Sequence, residues 1–216
     1  MNQQLPQAGA PLAWQVFGAI EQARAAVSAQ FFSPGRYVVR IDNVLLDKDR
    51  NQAEIFIVRT TVLAVLGTEL GVDGQPKTPS SVGSNPSVVY KNDGAQRDMF
   101  LPNCKAAAAC FADVPPDQVK PHHLVELTNT TPGLTFDFQD GRGPVPLAVQ
   151  PAEGLVVEVS AREKRKVKKP DEIITNVSFV RLVPVVQVLN MVEDTVLGKY
   201  YDLNALRAAV EPTPAA

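Results

Sequence analysis

The chain has 216 residues, 45% of them hydrophobic and 20% charged, with a formal net charge of −2. That is enough apolar material for a sizeable core, and the acidic balance, with a pI near 5.7, excludes a chain that is basic throughout and sticks to polyanions everywhere. Eighteen prolines and thirteen glycines exclude an architecture of long helices and favour one larger, turn-rich β domain.

In chain order, residues 1–12 (MNQQLPQAGAPL) read as a flexible arm. They lack the basic n-region and apolar h-region of a signal peptide, so none is expected. Residues 13–30 read as a helix, because Trp14, Phe17, Ile20 and Val27 recur at helical spacing in an alanine-rich segment. The Trp14 and Phe17 face either packs on the β core or makes a contact with a partner or a second copy, which would give a homo-oligomer. The main β domain is expected over residues 31–192.

That domain opens with the turn Ser33-Pro34-Gly35 and a strand from Arg36 to Val44. Tyr37, Val39 and Ile41 fall on one face, and Arg36, Val38, Arg40 and Asp42 on the other. A charged turn, Asp47 to Asn51, leads to a long strand from Glu54 to Leu66, apolar on both faces as a central strand should be. Arg59 interrupts it and must find water or an acceptor. Residues 67–86 are rich in Gly, Pro, Ser and Thr, the composition of an exposed loop long enough to act as a lid or a clamp. A short strand, Ser87 to Tyr90, follows with Lys91. Leu101-Pro102-Asn103 then introduces an alanine-rich helix over Lys105 to Ala112, with Pro102 suited to its first turn.

Residues 115–153 are either an insertion or the source of a further barrel strand. Leu134 to Phe138 alternates as a strand does, and Gly141 to Pro146 reads as a loop. The main hairpin comes next. Leu155, Val157 and Val159 alternate with Val156, Glu158 and Ser160, and Ile173, Thr175, Val177 and Phe179 alternate with Ile174, Asn176, Ser178 and Val180. Between them, Arg162 to Lys169 places six basic residues in eight, with Glu163 as the one acid, for a local charge of +5. Everything outside that window therefore sums to −7. A positive tip on an acidic body points to an anionic partner. An apolar run from Val185 to Val192 precedes residues 193–216, which hold a short helix from Leu203 to Val210 and a tail, EPTPAA, that is not acidic.

Chemistry-bearing motifs are sparse. His122 and His123 are adjacent, without cysteine or carboxylate at ligand spacing. Cys104 and Cys110 lie six apart in the expected helix and suit buried thiols in a reducing cytoplasm. No phosphate-cradling glycine loop and no nucleophile elbow occurs. The acidic pairs Asp47/Asp49, Asp171/Glu172 and Glu193/Asp194 sit in turn-like contexts and read as solvated. No metal, cofactor or enzymatic activity is expected. No apolar run is long enough to span a membrane.

Two long strands, a short strand, a helix and two more strands is the element order of an OB-fold, a five-stranded Greek-key barrel. In such barrels the loop joining the fourth and fifth strands contacts nucleic acid, and here that loop is the basic tip. The segments PGRYVVRIDNV, EIFIVRTTVLAVL, VGSNPSVVYK, FLPNCKAAAACFAD, GLVVEVSARE and TNVSFVRL resemble a diffuse family of bacteriophage OB-fold single-stranded DNA-binding proteins. The resemblance runs over roughly residues 31–183. Arg59 departs from it, standing where an acid is commoner, and so does the missing acidic tail. The resemblance implies a partner, single-stranded DNA, a role in replication or recombination, and a location in the host cytoplasm. Charge contacts are expected from the tip (Arg162, Lys164, Arg165, Lys166, Lys168 and Lys169) and from a groove (Arg36, Arg40, Arg59, Lys91 and Arg181). Tyr90, Phe179 and Tyr37 are candidates for base stacking, with core packing as their competing role. The alternative is a phage virion protein, a decoration or tail component, using the tip for subunit contacts.

Overall fold

The computed structural model describes residues 31–49, 51–94, 97–119, 135–137, 144–146, 152–166 and 169–210. The arm and helix expected over residues 1–30, His122 and His123, Lys168, and the tail after residue 210 lie outside these residues.

Five strands form one antiparallel sheet: β1 (Gly35–Lys48), β2 (Glu54–Thr68), β3 (Ser87–Lys91), β6 (Val156–Lys166) and β7 (Lys169–Leu182), in the order β3-β2-β1-β6-β7. Among the described residues, two further short strands, β4 (Thr135–Asp137) and β5 (Pro144–Pro146), pair only with each other. The stretch 141–146, expected as a loop, thus supplies a strand at its end, and β4 and β5 add none to the main sheet. Proline flanks are tolerated there because a two-stranded pair leaves one side of each strand unbonded.

The sheet divides two cores. Tyr37, Val39 and Ile41 of β1, Phe56, Val58 and Val62 of β2, and Val157, Val159 and Ala161 of β6 are buried on one face. Helix α1 (Arg97–Phe111) packs there through Phe100, Cys104, Ala107, Ala108 and Phe111, the spacing of one helical stripe. On the opposite face Val38, Leu63 and Val156 meet Val183, Val188, Val192 and Leu197. Val188 and Leu197 belong to a helical layer made of α2 (Val185–Met191), α3 (Asp194–Leu197) and α4 (Leu203–Ala208), and Val183 and Val192 flank α2. The apolar run 185–192, expected within the barrel, is helical because Pro184 starts it and Val188 and Leu189 turn one side to the sheet. Asp202 caps α4 by accepting from the Asn204 and Ala205 amides at 2.9 and 3.2 Å. Helix α1 begins at Arg97, so Pro102 lies inside it and not in its first turn.

The sheet does not close into a barrel. β3 and β7 are its edges among the described residues, and α1 packs against both. The Tyr90 hydroxyl of β3 donates to the Val177 carbonyl of β7 at 3.3 Å, so a side chain spans the seam that a ladder would otherwise fill. A five-residue β3 offers too short an edge to pair with the whole of β7.

The 67–86 segment is pinned. The Val62 amide donates to Ser84 O, the Thr60 amide to Pro86 O and the Gly83 amide to Val62 O, which carries β3's pairing back along β2. Ser80 anchors the middle: its amide donates to the Tyr37 hydroxyl at 3.0 Å and its Oγ accepts from the Ser33 amide.

Candidate nucleic-acid interface

β1 pairs with β6 only over Val156–Ala161. Beyond Ala161, β6 and β7 pair with each other, Arg162 with Asn176, Glu163 with Thr175, Lys164 with Ile174 and Arg165 with Ile173. The basic residues expected in a loop are therefore strand residues on a two-stranded ribbon that projects past the sheet. The ladder reaches Lys166 opposite Lys169.

Period two sorts the ribbon side chains. Val157, Val159 and Ala161 point to the α1 core, so Glu163 and Arg165 follow on that face. Arg162 and Lys164 follow Glu158 on the other, joined by Ile174 and Asn176 of β7; the register shifts between Arg165 and Lys166, and Lys166 stays beside them through its pair with Glu172. Lys166 pairs with Glu172 at 2.5 Å, and Lys169 reaches the same carboxylate at 2.7 Å. Hydrogen bonds from these two lysines hold the Glu172 carboxyl below its ordinary range. Arg165 donates to the Pro170 carbonyl at 3.1 Å.

At the ribbon's base, where β1 has not yet begun, the turn 69–77 lies alongside β6. Glu69 faces Arg162 at 3.5 Å, and Glu163 accepts from the Val72 amide at 3.0 Å. Lys77 bridges Asp73 at 2.9 Å and Glu163 at 3.8 Å. The Lys77 and Glu163 side chains close over Gly71: a Cβ there would lie 2.0 Å from Lys77 Cε and 2.7 Å from Glu163 Oε2, so these side-chain ends would have to shift.

The groove cations are placed differently. Glu158, buried on the C-terminal-layer face, accepts from Arg36 at 2.5 Å and from Arg181 at 2.9 Å, and Arg181 also donates to Gln187. The Arg36 hydrogen bond, followed by that of Arg181, pulls the Glu158 carboxyl below its ordinary value against the opposing effect of burial. The same bond holds the Arg36 guanidinium above its usual range. Arg40 pairs with Asp42 and Glu153 and lies within 5.8 and 5.9 Å of the Tyr200 and Tyr201 ring centres. Lys91 is held by Asp49 at 2.7 Å and Asp93 at 3.1 Å, bonds that raise its pKa. Arg59 is exposed on β2, opposite Asn43 of β1 and Ser87 of β3.

The three stacking candidates are packed. Tyr37 is fully buried, and its hydroxyl donates to Ser33 O at 2.7 Å. Tyr90 lies parallel to Phe56 with ring centres 6.2 Å apart, and burial pushes its phenol well above the ordinary range. Phe179 meets Phe111 edge to face at 4.9 Å. Cys104 and Cys110 are unpaired, and burial pushes their thiols up to about 11 and about 12.

Sequence reasoning missed the carboxylates. Glu158, Glu69 and Glu172 decide which cations are committed, and only strand register brings them to their partners. No helix of the described residues is long and apolar enough to cross a membrane. No family model matches the chain, and no curated protein matches it.

Proposed function

We propose that the chain is a non-enzymatic single-stranded DNA-binding protein of a bacteriophage, acting in replication or recombination. In this reading the five-stranded sheet is an OB-type barrel left open at its β3–β7 seam, with α1 as the helix between its third and fourth strands. The order β3-β2-β1-β6-β7 supports that assignment. The observation that carries the function is the ribbon, which places Arg162, Lys164, Arg165, Lys166 and Lys169 beyond the end of the β1–β6 pairing. Phosphates are bound by such a feature through charge, without sequence preference.

The test is fluorescence anisotropy of labelled oligo-dT, titrated at low and moderate salt. Binding that weakens steeply between about 50 and 200 mM salt supports the reading. No binding at low salt overturns it. One observation favours the second reading, a virion component: Ile173, Ile174 and Val180 are exposed along the free edge of β7 at 48, 37 and 52%. A subunit contact would cover them. Recovery of the protein in purified particles, together with no oligonucleotide binding, would decide for that alternative.

A further inference from the structure

We propose that the ribbon has one working face, a phosphate track of Arg162, Lys164 and Lys166, with Glu69 and Glu172 as built-in counter-charges that the bound strand displaces. This rests on the single-strand reading above. Three observations carry it.

The first is alternation. Residues two apart on one strand lie about 6.6 Å apart along it and share a face. That repeat is close to the phosphate spacing of a stretched single strand, so successive phosphates meet successive cations. Arg165, on the other face, shares its surroundings with Glu163, Ile173 and Thr175 and spends a donor on the Pro170 carbonyl.

The second is the state of the three cations. Lys164, in the middle, is exposed and makes no ion pair among the described residues. Arg162 and Lys166, at the ends, each hold one carboxylate, Glu69 at 3.5 Å and Glu172 at 2.5 Å. These pairs are solvated, with side-chain exposures of 68 and 24% for Arg162 and Glu69 and 41 and 43% for Lys166 and Glu172. Exposed pairs are weak, so a phosphate can replace the carboxylate.

The third is the apolar neighbour. Ile174 is opposite Lys164 in the ladder and 37% exposed, which places an apolar surface on the track between the two end pairs. A base next to a phosphate held by Lys164 would rest on it.

The experiment measures oligo-dT anisotropy for the full chain and for Lys164→Ala, Arg165→Ala, Glu172→Gln and Glu69→Gln, each checked for native circular dichroism. Lys164→Ala should weaken binding several-fold and reduce the slope of log affinity against log salt by about 0.7, the loss of one single-strand phosphate contact. Arg165→Ala should cost clearly less. Glu172→Gln and Glu69→Gln should tighten binding at low salt, with the gain fading as salt rises. If the wild-type chain binds while Arg165→Ala costs as much as Lys164→Ala, or neither glutamine variant tightens binding, the one-faced track is wrong and the single-strand reading stands. If the wild-type chain does not bind at low salt, both fall.

Discussion

The same residue types meet opposite fates in two regions of this molecule. On the body, Arg36, Arg40, Lys91 and Arg181 are tied to Glu158, Asp42, Glu153, Asp49 and Asp93, and Arg40 also lies against two tyrosine rings. On the ribbon, Lys164 makes no ion pair among the described residues, and the others hold exposed or shared partners. A basic residue is available to a ligand only where the fold leaves its charge unanswered. Arg40 and Arg181 tie the sheet to the C-terminal layer, Arg36 and Lys91 are paired within the sheet and its turns, and the ribbon cations reach past the sheet.

If that division is right, changes to the body should act on stability and changes to the ribbon on binding. The largest effect is expected in the core beneath the cations. Phe56→Ala removes a fully buried ring stacked on Tyr90 and should cost about 3–5 kcal/mol in chemical denaturation. Glu158→Ala comes next. Its carboxylate is only 6% exposed, but Arg36 and Arg181 are 52 and 40% exposed and regain water when it is removed. The loss should therefore be about 1.5–3 kcal/mol, the worth of hydrogen bonds to charged groups, and below that of stranding a buried charge.

The same carboxylate sets an acid limit. Its folded pKa lies below its ordinary value of 4.5, so its contribution is fully present above pH 4.5 and is lost as pH falls through the folded value. Thermal melts of the wild-type chain should fall off below that pH, and Glu158→Gln should flatten part of the fall. A smaller effect is expected at the seam: Tyr90→Phe gives up a 3.3 Å bond to Val177 O and should cost about 0.5–1 kcal/mol with the ring packing intact. The smallest change in stability belongs to the ribbon, where Lys164→Ala with Lys169→Ala should stay within about 0.5 kcal/mol of wild type while weakening oligonucleotide binding. A ribbon variant that unfolds the domain would break the division from the other side.

Much of the body was legible before the structure. Tyr37, Val39 and Ile41 alternate with Arg36, Val38 and Arg40, and the two sets do face different layers. Strand β2 reads as apolar on both faces because it separates two cores, with Val58 and Val62 on one side and Leu63 on the other. The ribbon was less legible. On its β6 side, Arg162 to Lys166 are charged on both faces, so no core imposes the alternation that marks a strand, and charge density alone suggested a loop. The 67–86 segment has loop composition, yet Ser84 and Pro86 pair with the β2 backbone and Ser80 bonds Tyr37 and Ser33, contacts that composition cannot reveal. The open seam was hidden for a similar reason: element order does not say whether the last pair of edges meets, and here α1 and the Tyr90 side chain stand between them. The pairing of Glu158 with Arg36 and Arg181 depends on register across three strands.

The most direct test of the division between body and ribbon is hydrogen–deuterium exchange of the full chain with and without saturating oligo-dT. Slowed exchange confined to residues 160–176 and the adjoining 69–77 turn is the predicted result. Slowed exchange along β3 and α1 with none on the ribbon would contradict it, because the bound strand would then lie on the region whose cations are already committed.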